Sequence, residues 1–327
     1  MSLMQVMKRL SGEAAGAVEL SEREAFALLS AMLDGGMGEL ELGAALALLE
    51  RRPVAVAELL GFGAALAQRC SRLAPPAASG RPVVFGSYHG LRAQPHLLPL
   101  VALALQRLGV PVVVHGALDG AGVVAAAYVF RELGILPCAS PLIAQSRLEE
   151  HKLAFVPAAV LAPGLADLLA LKGRLGFGAF IQALARLLPV FAADALLVVG
   201  ANPVTGSAVL REYLAASGLT GLLLDGVEGE AFADPRRRPR IEYVTPDGCK
   251  VLFDAEVAVL KHPVALPAEH DAHTVADWIR RALAGEVPVP LPLVNQIACC
   301  LYGAGYTDDM NQAKAIVAVE TGSLAAA

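Results

Sequence analysis

The sequence has no pair of cysteines at C-x-x-C spacing, and its five cysteines (Cys70, Cys138, Cys249, Cys299 and Cys300) are an odd number. That usage excludes a disulfide framework and a cysteine zinc site, and it predicts buried thiols in a reducing compartment. Long apolar runs are missing too. Mean hydropathy is positive, yet no stretch approaches the roughly 20 uninterrupted apolar residues that span a bilayer. The longest candidates, such as Leu97 to Leu105, are soon broken by Gln or Arg. Met1 to Glu13 lacks the apolar centre of a signal peptide, so the expected location is the cytoplasm. Positive charge is scarce as well: the net charge is −5. No global attraction to polyanions follows from that, and any such binding must come from a local basic patch.

What is present is a chain of 327 residues, 56% hydrophobic and 17% charged, rich in Ala, Leu and Val. It is long enough for one large domain or two unequal ones and too apolar for disorder. From Leu20 to about Ala74 the pattern is helical. Ser21 followed by Glu24 is a capping box, with Ala25, Leu28, Leu29 and Met32 on one face and Asp34-Gly35-Gly36 as the stop. Two further helices are expected over Glu39 to Arg51 and Val54 to about Cys70, and Pro75 to Gly80 reads as a linker. The periodicity then changes. A strand at Pro82 to Phe85, a helix over about Pro95 to Leu108 and a strand at Val110 to Val114 make a βαβ unit, and a helix follows over about Val123 to Leu133. Gly164 to Leu188 reads as mostly helical, Ala195 to Val199 and Gly221 to Leu224 as strands. Ile241 to Phe253 reads as a hairpin turning at Thr245-Pro246-Asp247-Gly248, and closing helices lie around Val275 to Ala284 and Leu293 to Leu301.

This order resembles anthranilate phosphoribosyltransferase and its relatives, the glycosyltransferase family with a helical-bundle N-terminal domain. Leu20-Ser21-Glu22 through Asp34-Gly35 is similar to the family's opening helices. Val294 to Ala298 with Leu301 to Gly305 is similar to its closing Asn-Ala-Ala helix, Gly86 to Gly90 takes the place of its GTGGD loop, and His115-Gly116 that of its KHGN motif. The resemblance implies an α/β fold: a small helical domain over residues 1–76, rejoined by helices of about 164–188, and a large domain over 80–327 with a central, mainly parallel sheet. It also implies a homodimer joined through the helical heads.

For the chemistry the same alignment points to loss. The family holds the pyrophosphate of phosphoribosyl pyrophosphate and its magnesium with backbone amides, hydroxyls, a lysine and paired acids. Here the first loop reads Gly86-Ser87-Tyr88-His89-Gly90, followed by His96, Leu98 and Pro99 where the family has Asn and Ser/Thr. Val114 and Ala117 replace the Lys and Asn of KHGN, and Ala121 and Gly122 replace two serines. Gly178 replaces the arginine that contacts anthranilate, and the Asp-Glu pair is reduced to Glu228-Gly229. An apolar wall does not replace the hydration of a pyrophosphate. Gly86, Ser87, His89, His115 and Glu228 are therefore expected to be a vestigial phosphate site, with no catalytic residue, no metal and no cofactor.

Several clusters have two readings each. His89, His96 and His115 are either an acid/base or anion-binding set or capping groups at loop ends. Glu228 and Glu230 follow a strand end, the usual place for α/β sites, and either hold a cation or serve as solvated or arginine-paired surface. Arg236, Arg237, Arg238 and Arg240, stiffened by Pro235 and Pro239, either bind phosphates or form a solubility loop neutralised by Glu228, Glu230 and Asp234. Lys172, Arg174 and Arg186 either extend a basic track or are ordinary surface. A sub-branch of the family keeps the fold and the homodimer, lacks the substrate motifs and binds DNA or RNA without sequence preference. This chain resembles that branch, which implies backbone binding through the Arg236–Arg240 loops and the Lys172/Arg174 helices. The alternatives are a glycosyl- or phosphoribosyltransferase using magnesium and phosphoribosyl pyrophosphate in a remodelled site, and a pseudoenzyme whose head binds another protein.

Overall fold

A computed structural model describes residues 3–12, 19–77, 80–120, 122–192, 194–256 and 265–322. Ala78 and Ser79 of the linker, and Ala121, lie outside them. The head is made of α1 (Leu3–Ser11), α2 (Glu22–Leu33), α3 (Glu39–Glu50) and α4 (Val56–Ala67). The expected capping box starts α2: the Ser21 hydroxyl accepts from the Glu24 amide at 3.4 Å and the Glu24 carboxylate accepts from the Ser21 amide at 2.8 Å. Helix α1 was not expected from the pattern. The carboxylate of Glu58 is fully buried and accepts from the amides of Leu20 and Ala55 and from Arg52, tying three segments of the head together.

The large unit runs β1 (Val83–Ser87), α5 (Leu98–Arg107), β2 (Val112–Gly116), α6 (Ala126–Glu132), α7 (Pro141–His151) and β3 (Leu153–Pro157). Four short helices then return to the head: α8 (Ala158–Leu161), α9 (Pro163–Ala170), α10 (Lys172–Leu175) and α11 (Ala179–Ala185). The chain goes on through β4 (Leu196–Gly200), α12 (Ser207–Ala216), β5 (Thr220–Leu224), β6 (Ile241–Thr245) and β7 (Gly248–Phe253). It closes with α13 (Ala272–Leu283), α14 (Leu291–Gly303) and α15 (Met310–Glu320). The sheet has seven strands in the order β3-β2-β1-β4-β5-β6-β7. The first five are parallel and the last two antiparallel, β6 and β7 being the expected hairpin.

Strand side chains alternate between two cores. Val84, Val113 and Val199 join the head helices, α7, α9, α11 and α12 in one cluster, while Phe85, Val114 and Val198 join α5, α6, α13 and α14 in the other. Parallel pairing also places the loops after β1, β2, β3, β4 and β5 along one edge of the sheet. Among the described residues no helix is long and apolar enough to cross a membrane.

Candidate functional site

The carboxyl edge of the sheet collects nearly every residue that the sequence marks. Gly86 and Ser87 end β1, His115 and Gly116 end β2, and Glu228 and Glu230 lie in the loop after β5. Gly86 is required there for a steric reason. A Cβ at this position would sit 2.8 Å from the Arg186 Cα, so only glycine lets the end of α11 close onto β1.

Both carboxylates are turned to backbone amides, one buried and one exposed. Glu230 is fully buried, and its Oε1 accepts from the amides of Tyr88 at 3.2 Å and His89 at 2.9 Å. Glu228 is exposed, held at a left-handed φ of 49°, and accepts from the amides of Arg92 and Ala93, the latter at 3.0 Å. Two backbone donors of the loop that takes the place of GTGGD, the amides of Tyr88 and His89, are therefore already filled by Glu230, and Glu228 fills those of Arg92 and Ala93 just beyond it. Burial by itself would raise the Glu230 carboxyl, but His96, Arg186 and the His89 amide outweigh it and carry it below the ordinary carboxylate range.

The three histidines do converge, and two of them are fully buried. His96 Nε2 lies 3.4 Å from the Ser87 hydroxyl and 3.8 Å from Glu230 Oε2. Burial keeps its imidazole neutral against the pull of Glu230 and Glu228. His115 Nδ1 accepts from the Tyr88 hydroxyl at 2.7 Å, and burial pushes its pKa down to about 3. His89 donates from Nδ1 to Gln182 Oε1 at 2.9 Å, and Gln182 donates in turn to the Tyr88 carbonyl at 2.9 Å. Tyr88 and His89, bulky where the resembling family has glycines, thus fold inward and are locked from below. Beside them, between β2, β3 and α9–α10, is a cavity of about 350 Å³ bounded by His89, Leu118, Ala159, Leu169, Lys172 and Gln182.

The arginine loop divides in two. Arg236 and Arg237 are exposed, and their side chains have no partner among the described residues; the Arg236 amide donates to Asp234 at 2.9 Å. Arg238 is held by the Asp254 carbonyl at 3.1 Å and by Glu256 at 3.4 Å, over the Phe253 ring. Arg240 pairs with Glu242 at 2.6 Å and with Asp254 at 2.9 Å. The neutralising acids are Glu242, Asp254 and Glu256, which corrects the expectation of Glu228 and Glu230, both committed to amides. Lys172 lines the cavity, and Arg174 reaches back to Glu39 of α3 at 3.1 Å. Arg186 is a second correction: at 4% exposure it is buried beneath the loop and adds nothing to a surface track.

Two groups escaped the sequence reading. Gln182 lines the cavity from α11. Gln296 of α14 accepts from the Ala233 amide and donates to the Ala231 carbonyl, both at 2.8 Å, and so fixes the base of the arginine loop. A glutamine within the apolar run Leu291 to Cys300 was the available signal, because a buried amide needs partners.

The donor set does not fit a magnesium–pyrophosphate complex. The amides of Tyr88, His89, Arg92 and Ala93 are taken by Glu230 and Glu228, and among the described residues no cluster of three potential metal ligands exists.

No protein-family model matches the chain. It is 34% identical over 306 residues to the uncharacterised protein YbiB of Escherichia coli (strain K12), covering 93% of this chain and 95% of that one. It is 29% identical over 161 residues to the anthranilate phosphoribosyltransferase of Methylobacterium radiotolerans, covering 49% of this chain and 46% of the enzyme. Among solved structures, anthranilate phosphoribosyltransferase from Thermus thermophilus superposes with a TM-score of 0.79 at 23% identity, over 99% of this chain and 95% of that chain. The Saccharomyces cerevisiae enzyme, in complex with phosphoribosyl pyrophosphate and magnesium, superposes with a TM-score of 0.70 at 12% identity, over 98% and 93%. The chain has the anthranilate phosphoribosyltransferase fold and belongs to the family of Escherichia coli YbiB.

Proposed function

We propose that this protein has given up the donor chemistry of its fold and binds the backbone of DNA or RNA without reading sequence, as a homodimer joined through its helical heads. The observation that carries the reading is the exchange of roles at the sheet edge. Glu228 and Glu230 fill the loop amides that a phosphate would need, while Arg236 and Arg237 stand exposed on the same edge without partners among the described residues. Guanidinium groups held on a proline-bracketed loop, anchored by Gln296, are suited to phosphate contacts. The role of Arg238 and Arg240 is then to shape the loop through Glu242, Asp254 and Glu256.

Two loops per dimer, each offering Arg236 and Arg237, predict a slope of log affinity against log salt of about −2 to −4. Fluorescence anisotropy with single-stranded DNA, duplex DNA and RNA of unrelated sequences measures it. Changing Arg236 and Arg237 together to Ala should flatten that slope and weaken all the oligonucleotides alike. An unchanged salt dependence in that variant rejects the reading, and light scattering tests the dimer.

The second reading, a glycosyl- or phosphoribosyltransferase with another acceptor, is favoured by the 350 Å³ cavity beside His89 and Lys172. Saturable binding of phosphoribosyl pyrophosphate with magnesium in a calorimeter would support it. The occupied amides of Tyr88, His89, Arg92 and Ala93 stand against it.

A further inference from the structure

The cavity beside the loop after β1 has no part in the phosphate contacts of Arg236 and Arg237. At about 350 Å³ it falls within the range of small-molecule sites. Gly116, Ala117, Ala158, Ala166 and Gly173 give it small apolar walls, against which a flat ring can lie. A chain of hydrogen bonds sets the polarity at one side. Gln182, 5% exposed, donates from its amide nitrogen to the Tyr88 carbonyl, so its Oε1 accepts from His89 Nδ1. The neutral His89 ring is thereby fixed with its hydrogen on Nδ1, and it offers Nε2 as an acceptor to the cavity it lines.

Lys172 supplies the charge. Its stem lies along Gly178, where a Cβ would stand 3.2 Å from the lysine Cβ and 3.3 Å from its Cγ. The residue is half-buried, and its ammonium has no hydrogen bond or ion pair with any described residue. Asp119, the acid among the lining residues, is exposed, where water screens it. The complement of this set is a flat aromatic ring that bears an N–H donor and is joined to an anion. A nucleotide has that form. Every nucleobase carries an N–H on its pairing edge, and a duplex uses it internally, so only an unpaired base can present it to His89. In the sheet β2 and β5 are three strand spacings apart, about 14 Å, so the cavity and the arginine loop lie along one edge within reach of a short single strand.

The geometry points to a nucleotide subsite. The cavity takes one unpaired base of a DNA or RNA strand, His89 Nε2 accepts from its pairing edge, and Lys172 holds the adjoining phosphate. The subsite rests on the nucleic-acid reading and adds to it a contact that no paired base can make, without selecting among the bases.

The test uses the full chain and fluorescence anisotropy with three ligands of equal length: a single strand of mixed sequence, the same strand made abasic throughout, and its duplex. The natural single strand should bind at least about fivefold more tightly than the abasic one, which keeps the phosphates and lacks the bases. Ala159→Trp and Ala170→Trp, at two exposed positions of the wall, fill the cavity without altering charge. Each should abolish that preference and leave duplex binding unchanged. Lys172→Met should lower the salt slope of the natural single strand by about one and leave the duplex slope as it was. No preference in the wild type, or a full preference kept in both filled variants, overturns the subsite, while salt-dependent duplex binding leaves the arginine surface standing. Failure of every strand to bind would overturn both.

Discussion

At the scale of the residue, His115 shows how burial rather than a neighbouring charge sets a proton. Its ring has no exposed surface, and its pKa is pushed down to about 3 from an ordinary 6.5. Between those values the unfolded chain binds a proton that the folded chain refuses, so stability is complete above pH 6.5 and is lost as pH falls towards 3. Well below pH 6.5 one such group contributes a slope of about 1.4 kcal/mol per pH unit. His96, neutral through burial, adds loss of the same sign, as does Glu230 once the pH drops below the ordinary carboxylate value. Urea unfolding at pH 7.5, 6 and 5 should therefore show declining stability. His115→Gln keeps an acceptor for the Tyr88 hydroxyl and should flatten the decline; an unaltered slope would exclude His115 as its source. The sequence places His115 in the cleft through its motif position. It gives no measure of depth, and depth is what turns a candidate acid/base into a fixed hydrogen-bond acceptor.

At the scale of the element, the head depends on one carboxylate and one glycine. Removing the Glu58 side chain would leave Arg52 and the Leu20 and Ala55 amides without their acceptor. Glu58→Ala should cost about 3–5 kcal/mol, the usual penalty for breaking a buried pair by removing one partner. Gly61 lies where α4 meets α2: a Cβ there would stand 2.1 Å from the Glu22 carbonyl oxygen and 2.8 Å from the Phe26 amide. Gly61→Ala should cost at least about 1–3 kcal/mol, although alanine is the better helix former, and chemical denaturation of both variants measures the two effects. Elements with conventional punctuation were legible. Helix α2 has its capping box, the β6–β7 hairpin its Pro-Asp-Gly turn, and β1-α5-β2 its loop glycines. Helix α7 and strand β3 were not read, and the turn between them explains why. Lys152 takes the left-handed position at φ 57° that sequence rules reserve for glycine, so nothing marks the boundary. The burial of Arg186 and the presence of Gln182 in the cleft were hidden for a related reason: a stretch read as helical does not reveal which of its polar residues face inward.

At the scale of the molecule, the linker at Pro75–Gly80 suggests two units, but the packing joins them. One apolar cluster runs from Leu28, Phe62 and Leu66 of the head through Phe180 and Leu184 of α11 to Val84 and Val113 of the sheet. Polar ties cross the same boundary. Glu50 of α3 accepts from the amides of Ala179 and Phe180 at 2.9 Å each, capping α11, and Arg174 pairs with Glu39. Gly164 lets α9 approach the Leu33 carbonyl so closely that a Cβ would stand 2.2 Å from its oxygen. A continuous core of this kind gives the head little to gain by unfolding alone, because the loss of α2 and α4 would expose the face of α9, α11 and the sheet together. Head and sheet should therefore unfold in a single transition. The chain supplies its own probe: Trp278, the only tryptophan, is on α13 in the opposite cluster, away from the head. Its fluorescence follows the large unit alone, whereas far-UV circular dichroism also follows the four head helices. The two curves should coincide in urea and on heating. A dichroism change that precedes the tryptophan signal would mean that the head melts separately and that the shared core does not bind it to the sheet.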